Sequence, residues 1–208
     1  MSNKQDHTDV CFEVDGEKFN AHRLVMAAQS EVFRALLLGS MAESKMDTIP
    51  IHEISASTFK HMLHYIYCNQ LPAADDDVDH VSRMTELQHL LVAADMYGVD
   101  TLKQLCEATL CAGINKDTVT STLALTEDGS YRKLRASCIE FLSKTQIFAV
   151  ATTDEFCQVV QSYPDVLTEI RDRFQKPRLS PNLTPSKRPR LSAKLTPSTD
   201  TEEDQNQP

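Results

Sequence analysis

The sequence lacks tryptophan altogether and has little glycine, with 5 glycines in 208 residues. Such a composition is unusual for a turn-rich β-sandwich and favours helices. No apolar run reaches about 18 residues, the length that a membrane-spanning helix needs, so we expect no membrane span. Apolar residues still make up 41% of the chain, which allows a hydrophobic core in one domain or two small ones.

Closely spaced cysteine pairs are also missing. The six cysteines are Cys11, Cys68, Cys106, Cys111, Cys138 and Cys157. None forms a Cys-x-x-Cys pair and we expect no secretory signal, so the sequence predicts buried free thiols in a reducing compartment. His61 and His64 lie three residues apart, but no third ligand follows at a usable spacing, so we expect no metal site.

Signatures of catalysis are absent as well. The sequence has no glycine-rich phosphate loop and no Gly-x-Ser-x-Gly motif, and its carboxylates form no recognisable acid–base pair. We therefore expect no enzymatic activity and no cofactor.

The net charge of −9 is unevenly distributed along the chain. Residues 176–194 contain six basic residues and no acidic one, so the part before residue 175 is clearly acidic. An acidic folded part argues against a phosphate-binding face, and we expect no specific nucleic-acid partner. The basic tail alone predicts only salt-sensitive, non-specific contact with nucleic acid.

Strand signals are confined to the first quarter of the chain. Val10, Phe12 and Val14 alternate with polar residues, and the pair at residues 15–16 (Asp-Gly) predicts a tight turn into a second strand at residues 18–21. Residues 48–51 predict a third strand. Its Pro50 has no N–H, so we expect this strand at a sheet edge.

Helical signals fill the remainder up to Phe174. Apolar residues recur at helical spacing. The sets are Phe59, Met62, Leu63 and Ile66; Leu87, Leu90, Leu91 and Ala94; Leu102, Leu105, Cys106 and Thr109; Tyr131, Leu134, Cys138 and Phe141; Phe156, Val159, Val160 and Tyr163; and Val166, Leu167, Ile170 and Phe174. We expect Asp100 and Asp117 as N-caps, a left-handed Gly39 closing the helix at 32–38, and an acidic exposed loop at 72–82.

Three quoted stretches carry a family resemblance: "TDVCFEVDGEKFNAHRLVMAAQSEVFRALL", "IPIHEISASTFKHMLHYIYCNQL" and "LLVAADMYGVDTLKQLCEATL". Over residues 8–112 they resemble a BTB/POZ domain. Residues 113–174 resemble the BACK-type or 3-box extension found in speckle-type POZ protein and plant MATH–BTB proteins. The amino-acid sequence of the BTB part looks closest to the plant branch. The resemblance implies an α+β fold, a helical cluster flanked by a small sheet, followed by an all-helical extension.

The resemblance also implies a partner. Family adaptors for cullin-3 ubiquitin ligases carry a hydrophobic-x-Glu motif after the third BTB helix, and Met41-Ala42-Glu43 matches it. A flexible thioether can fill an irregular apolar pocket, and a glutamate two residues on can fix the register. We expect Leu37, Leu38 and the helices of residues 115–141 beside the motif. The alternative is that Met41 folds onto its own core and Glu43 is solvated.

A dimer is implied in the same way. BTB dimers commonly carry a buried acidic residue with a basic partner near the positions of Asp9 and Arg23, and a buried charge needs such pairing. Leu24, Val25 and Ala28 are expected to add apolar area at a two-fold interface. The alternative for Asp9 is an exposed cap at the strand start. Only polar residues 1–7 precede this region, so we expect a weaker dimer than in relatives with a longer leading contact.

The resemblance predicts a non-catalytic substrate adaptor or modulator of a cullin-3 RING ubiquitin ligase. Relatives of this type carry a MATH domain that reads degradation motifs, and we expect none in this chain. The expected partners are cullin-3 and a second copy or a related BTB protein. The alternative function is a BTB dimerisation scaffold or nuclear co-repressor that does not bind cullin.

Residues 175–208 predict a disordered tail, basic and then acidic, because they are rich in proline, serine, threonine and charge. The stretch "SKRPRLS" at 186–192 resembles a nuclear localisation signal. Through Lys187, Arg188 and Arg190 it predicts importin binding and a nuclear location, with the cytoplasm as a second location. The alternative is a solvated run of charge.

Overall fold

Helices make up most of the regular structure in the computed structural model, which describes residues 8–40, 42–72, 78–127, 129–144 and 150–175. They are α1 (Arg23–Gln29), α2 (Glu31–Leu38), α3 (Ala56–Cys68), α4 (His80–Met96), α5 (Asp100–Ala112), α6 (Val119–Ala124), α7 (Arg132–Lys144), α8 (Asp154–Ser162) and α9 (Asp165–Gln175), with a 3-10 helix at Ala42–Lys45. In this part of the chain no helix is long and apolar enough to cross a membrane. The predictions for residues 1–7 and for the tail from 176 onward lie outside the described residues.

A small sheet opens the fold. β1 (Val10–Val14) and β2 (Glu17–Ala21) pair antiparallel across a two-residue turn whose φ angles are 49° and 81°. β3 (Thr48–Ile51) pairs in parallel with the other side of β1, so the strand order is β2-β1-β3. The predicted hairpin is confirmed, and Pro50 lies on an edge strand, where its missing N–H breaks no central ladder.

The sheet and helices α1–α5 enclose the first core, which is rich in aromatic rings. The Phe12 ring lies 5.6 Å from Phe33 and 5.3 Å from Phe59, measured between centroids. Tyr97 stacks on Phe33 at 5.0 Å. All four rings are buried, and such offset and edge contacts add to the stabilisation from buried apolar area.

Helices α6–α9 enclose a second, smaller core. Its buried members are Val119, Leu123, Cys138, Ile139, Leu142, Val150, Phe156, Val159, Val166 and Ile170. Helix α7 serves both cores, because Leu134 near its start belongs to the first core and Cys138 one turn later belongs to the second.

Polar side chains join the two cores. Gln88 of α4 donates to the hydroxyls of Ser121 (3.1 Å) and Thr122 (3.0 Å) on α6. The Tyr131 hydroxyl donates to Asp95 at 3.0 Å, and the same carboxylate accepts from Lys103 Nζ at 2.6 Å. These bonds tie α6 and Tyr131, the residue before α7, to α4, and they tie α5 to the same carboxylate of α4.

The predicted helix ends were wrong in three places. Gly39 is extended (φ −76°) rather than left-handed, and a Cβ there would lie 2.2 Å from the carbonyl oxygen of Ala35. Close approach of the backbone, not a left-handed turn, therefore requires glycine. Val99 rather than Asp100 is the N-cap of α5. Thr118 rather than Asp117 is the N-cap of α6.

Some predicted helix faces also need correction. Leu105 is 38% exposed, and Leu110 takes its place inside the first core. On α9, Leu167 and Phe174 are exposed, while Val166 and Ile170 face inward. The acidic loop predicted for residues 72–82 ends earlier, because α4 already begins at His80; residues 73–77 lie outside the described residues.

The cysteines divide into exposed and buried thiols. All six are free. Cys106 and Cys138 are buried, one in each core, and burial raises the pKa of each thiol to about 12. Cys68 and Cys157 are exposed, and the other two are half-buried. The prediction of buried thiols thus holds for two of the six.

Candidate functional site

The end of α2 presents one leucine outward and buries its neighbour. Leu38 is 50% exposed, whereas Leu37 is 2% exposed and belongs to the first core. Successive residues point about 100° apart around a helix, so both cannot share one face. The predicted contact of Leu37 with a cullin is therefore corrected: its side chain is not on the surface, and Leu38 is the accessible one.

The predicted motif lies on the connection between α2 and β3. Met41 itself is outside the described residues. The backbone of Ala42–Lys45 forms the 3-10 helix, which places Glu43 in its first half. Beyond it, Met46 is 41% exposed. Exposed apolar side chains, Leu38 and Met46, thus lie on both sides of the motif in sequence.

Arg23, the first residue of α1, reaches this connection. Its Nη1 donates to the carbonyl oxygens of Leu37 (3.2 Å) and Ser44 (2.9 Å), and its Nη2 donates to that of Met46. Its Nε donates to the carbonyl oxygen of Asp9 at 3.2 Å. One guanidinium therefore holds the last turn of α2, the end of the 3-10 helix and the approach to β3.

Asp9 supports Arg23 through the main chain. Its carboxylate accepts a hydrogen bond of 2.7 Å from the backbone N–H of Arg23, at the start of α1. In the single chain Asp9 is exposed rather than buried. The carboxylate thus satisfies an N–H that α1 leaves open, since the N-cap His22 makes no side-chain cap bond. A role for Asp9 and Arg23 in a dimer stays a prediction.

The outer face of α1 is apolar. Leu24 is 71% exposed, the largest exposed fraction among the large apolar residues described. Ala28, one turn further, is exposed, and Val25 is half-buried. This is where the sequence predicts a two-fold interface, and that prediction also stays open.

Sequence reasoning missed Tyr67 of α3, which holds the start of α1. Its hydroxyl accepts from the backbone N–H of His22 at 2.9 Å and lies 2.8 Å from Nδ1 of the same residue. The two residues are 45 positions apart, and no local pattern in the sequence connects them.

A cleft of about 560 Å³ opens between α6 and α8. Lys116, Asp117 and Thr120 line one side, and Thr153, Glu155 and Val159 line the other. The sequence predicts a groove wall from residues 115–141. The opposite wall, from residues 153–159, was not anticipated because its pattern indicated only a further buried helix.

Metal ligands do not converge anywhere in the described ranges. No group of three or more histidine, cysteine, aspartate or glutamate side chains is placed to hold a metal ion there. His61 is half-buried and His64 is exposed on α3.

Comparison with known proteins accounts for both parts of the fold. The BTB/POZ domain family model matches residues 1–114, and the model described as "BPM/SPOP, BACK domain" matches residues 118–171. The chain therefore belongs to the BTB/POZ domain family, with a BACK domain of the BPM/SPOP type following the BTB domain. The predicted family and fold class are confirmed.

Relatives come from plants and animals. "BTB/POZ and MATH domain-containing protein 3" of Arabidopsis thaliana is 39% identical over 166 residues, covering 78% of this chain and 41% of that protein. "TD and POZ domain-containing protein 1" of Mus musculus is 34% identical over 162 residues, covering 78% and 42%. The chain thus spans about two fifths of the length of these relatives.

A solved structure, the BTB domain of zebrafish PATZ1, aligns with 50% of this chain and 75% of its own. The TM-score is 0.40 and the sequence identity is 23%.

Proposed function

We propose that the chain is a non-catalytic adaptor, or a modulator of adaptors, of a cullin-3 RING ubiquitin ligase. The observation that carries the proposal is the exposed end of α2, where Leu38 leads into Met41-Ala42-Glu43 on a connection held by Arg23. Family adaptors carry their hydrophobic-x-Glu motif at this place in the fold.

Binding at this place needs no chemistry beyond surface complementarity. Leu38 and Met46 offer apolar area that is accessible in the single chain. A few such apolar side chains commonly supply most of the affinity of an interface, and Glu43 would accept hydrogen bonds that fix the register. The α6–α7 segment would extend the contact as a second wall.

Dimerisation completes the proposal. The apolar face of α1 around Leu24 is proposed to pack against a second copy or a related BTB protein. A dimer with a related adaptor would bring this chain and a substrate-reading partner to the same ligase. A dimer that displaces such a partner would make the chain a negative modulator.

Calorimetric titration of the 208-residue chain with the cullin-3 N-terminal region tests the adaptor function. We expect micromolar or tighter binding that is lost in Met41→Ala/Glu43→Ala. A matched control is Glu86→Ala/Met96→Ala, which removes the same two residue types from exposed positions of α4. Absence of binding by the unmodified chain, or equal loss in both folded double variants, contradicts the proposal.

A dimerisation scaffold that does not bind cullin is the second candidate, favoured by the exposure of Leu24 alone. It requires neither Met41 nor Glu43. Light scattering of Leu24→Asp against the unmodified chain separates the two functions: loss of the dimer without any cullin titration signal in either protein supports the scaffold.

We also propose nuclear import through Lys187, Arg188 and Arg190, with importin as the receptor, because these residues form the densest basic cluster of the tail. Changing all three to alanine should move a fluorescently tagged chain to the cytosol. Lys176→Ala/Arg178→Ala is the control. An unchanged nuclear signal in the triple variant contradicts the proposal.

A further inference from the structure

Arg23 commits its guanidinium to the main chain of its own molecule. The four acceptors are the carbonyl oxygens of Asp9, Leu37, Ser44 and Met46. Ser44 and Met46 lie on the connection from α2 to β3, and Leu37 lies in the last turn of α2 just before it. The family resemblance implies a dimer role for Arg23, and within the single chain its donors are directed at this connection.

Two of the carbonyls that Arg23 binds lie near the ends of helical segments. The last four carbonyl groups of a helix have no partner within it, and Leu37 supplies one of them at the end of α2. Ser44 supplies another near the end of the 3-10 helix. A cation at a helix C-terminus is also favoured by the helix dipole.

The arrangement suits arginine and not lysine. A guanidinium presents five N–H groups in fixed directions within one plane, whereas an ammonium presents three donors from a single atom. The acceptors here belong to separate segments: the residue before β1, the end of α2, the 3-10 helix and Met46 just after it. Only the wide fork reaches all of them together.

We infer that Arg23 is a positioning residue that sets the path of residues 42–47 for the partner and couples that path to the outer face of α1. The next residue along α1, Leu24, is 71% exposed on the face proposed for a second copy. The residue that holds the connection therefore directly precedes, in α1, the most exposed residue of the proposed dimer face. This inference rests on the proposed function, since the partner served is the cullin-3 N-terminal region.

The test compares Arg23→Gln and Arg23→Lys in the 208-residue chain with Arg171→Gln, which removes an equal charge from an exposed position of α9. Amide hydrogen exchange is followed in residues 42–48 and, as a measure of global stability, in residues 87–94 of α4. Calorimetric titration with the cullin-3 N-terminal region and light scattering are run on the same samples.

Arg23→Gln should speed amide exchange in residues 42–48 and leave the exchange of residues 87–94 unchanged. Arg171→Gln should change exchange in neither segment. Cullin affinity should fall roughly tenfold if the competent path is kept in about one molecule in ten. Arg23→Lys should restore little of either property. If Arg23→Gln does not fold, the lysine variant carries the comparison alone.

Three outcomes overturn the inference. Unchanged exchange in residues 42–48 removes the positioning role, and a lost dimer with unchanged exchange there returns Arg23 to the interface. Faster exchange with full cullin affinity breaks the link to the partner. If the unmodified chain does not bind cullin-3, the proposed function fails, and the exchange data still decide whether Arg23 sets the path of the connection.

Discussion

The two cores of the molecule are built differently. The first core closes around stacked and edge-on aromatic rings that are almost fully buried. Among the residues that the structure describes, the second core has one buried aromatic ring, Phe156, and its helices carry ion pairs such as Arg135 with Glu169. From this difference we expect apolar burial to dominate the stability of the BTB part, whereas polar contacts within the BACK part and from Gln88 to α6 contribute more to the stability of the BACK part.

The largest expected effect follows from truncating the aromatic cluster. Phe59 is fully buried between Phe12 and Phe19, so Phe59→Ala should reduce the free energy of unfolding by about 3–5 kcal/mol. Urea denaturation followed by circular dichroism measures it. The control Phe174→Ala, at a 55% exposed position of α9, should change stability by about 0.5 kcal/mol or less. Similar losses in both variants would contradict the contrast between core and surface.

The next largest effect is expected for the two hydrogen bonds by which Gln88 joins α4 to α6. Gln88→Ala removes both hydrogen bonds from α4 to α6 and leaves a buried hydroxyl, that of Thr122, without its donor, which should cost about 1–3 kcal/mol. Because the loss falls on the junction, we expect scanning calorimetry to separate the BACK transition from the BTB transition. Gln104→Ala, at an exposed position of α5, should keep a single transition. A single, unshifted transition for Gln88→Ala would show that the cores are joined by other contacts.

A smaller effect is expected for the ion pair of the BACK part. Arg135 of α7 donates to Glu169 of α9 from Nη2 at 2.8 Å and from Nε at 3.1 Å. Arg135→Gln should cost about 1–2 kcal/mol, because Glu169 is partly solvated, and should affect exchange in α9 before that in α3. Lys144→Gln breaks an exposed pair and should cost under about 0.5 kcal/mol. Equal destabilisation by Arg135→Gln and Lys144→Gln would mean that the two-bond geometry and partial burial of the Arg135–Glu169 pair add nothing to its contribution to stability.

The smallest effect is a pH dependence that arises near the turn after α6. Both carboxylate oxygens of Glu127 are buried and lack a hydrogen-bond partner among the described residues. Desolvation raises the pKa of Glu127, and Arg135 partly opposes this. Because the pKa of Glu127 is higher in the folded than in the unfolded chain, its protonated form favours folding. This contribution to stability is fully present below the unfolded-state pKa and is lost as the pH rises through the folded-state pKa.

Replacing Glu127 by glutamine should therefore stabilise the chain at neutral pH, by about 1 kcal/mol, and flatten this part of the profile. Thermal melting of Glu127→Gln and of the unmodified chain between pH 4 and pH 8 measures it. Glu155→Gln, at an exposed position, is the control. A variant that is less stable than the unmodified chain at pH 7 would show that Glu127 finds a partner in solution.

Local periodicity explains what could be predicted from the sequence. The hairpin, the edge position of Pro50 and the inward faces of α3 and α4 depend on side chains a few residues apart, and these predictions are confirmed. Leu37 and Leu38 are both apolar at the end of a short helix, so composition could not tell which one is exposed. The N-caps of α5 and α6 failed for a similar reason, because an aspartate one residue after the cap (Asp100) or one residue before it (Asp117) has the same local pattern as a cap.

Long-range contacts explain the rest. The bonds from Arg23 to Leu37, Ser44 and Met46 join residues 14, 21 and 23 positions apart, and their acceptors are carbonyl groups that every residue has. No side-chain identity in the sequence marks them. Family resemblance pointed to Arg23 for a role in the dimer, which stays a prediction, but it did not indicate the bonds to this connection, because a resemblance supplies positions and not the direction of a side chain.

The placement of the thiols provides a built-in measure of how often each part of the molecule opens. Each core holds one buried thiol, Cys106 or Cys138, whose raised pKa of about 12 keeps it protonated and unreactive while its core stays closed. Each part also displays one exposed thiol, Cys68 or Cys157, that an alkylating reagent reaches at once. The delay between the fast and slow labelling events therefore times the opening of the BTB and BACK parts separately, in the unmodified chain and without any introduced probe.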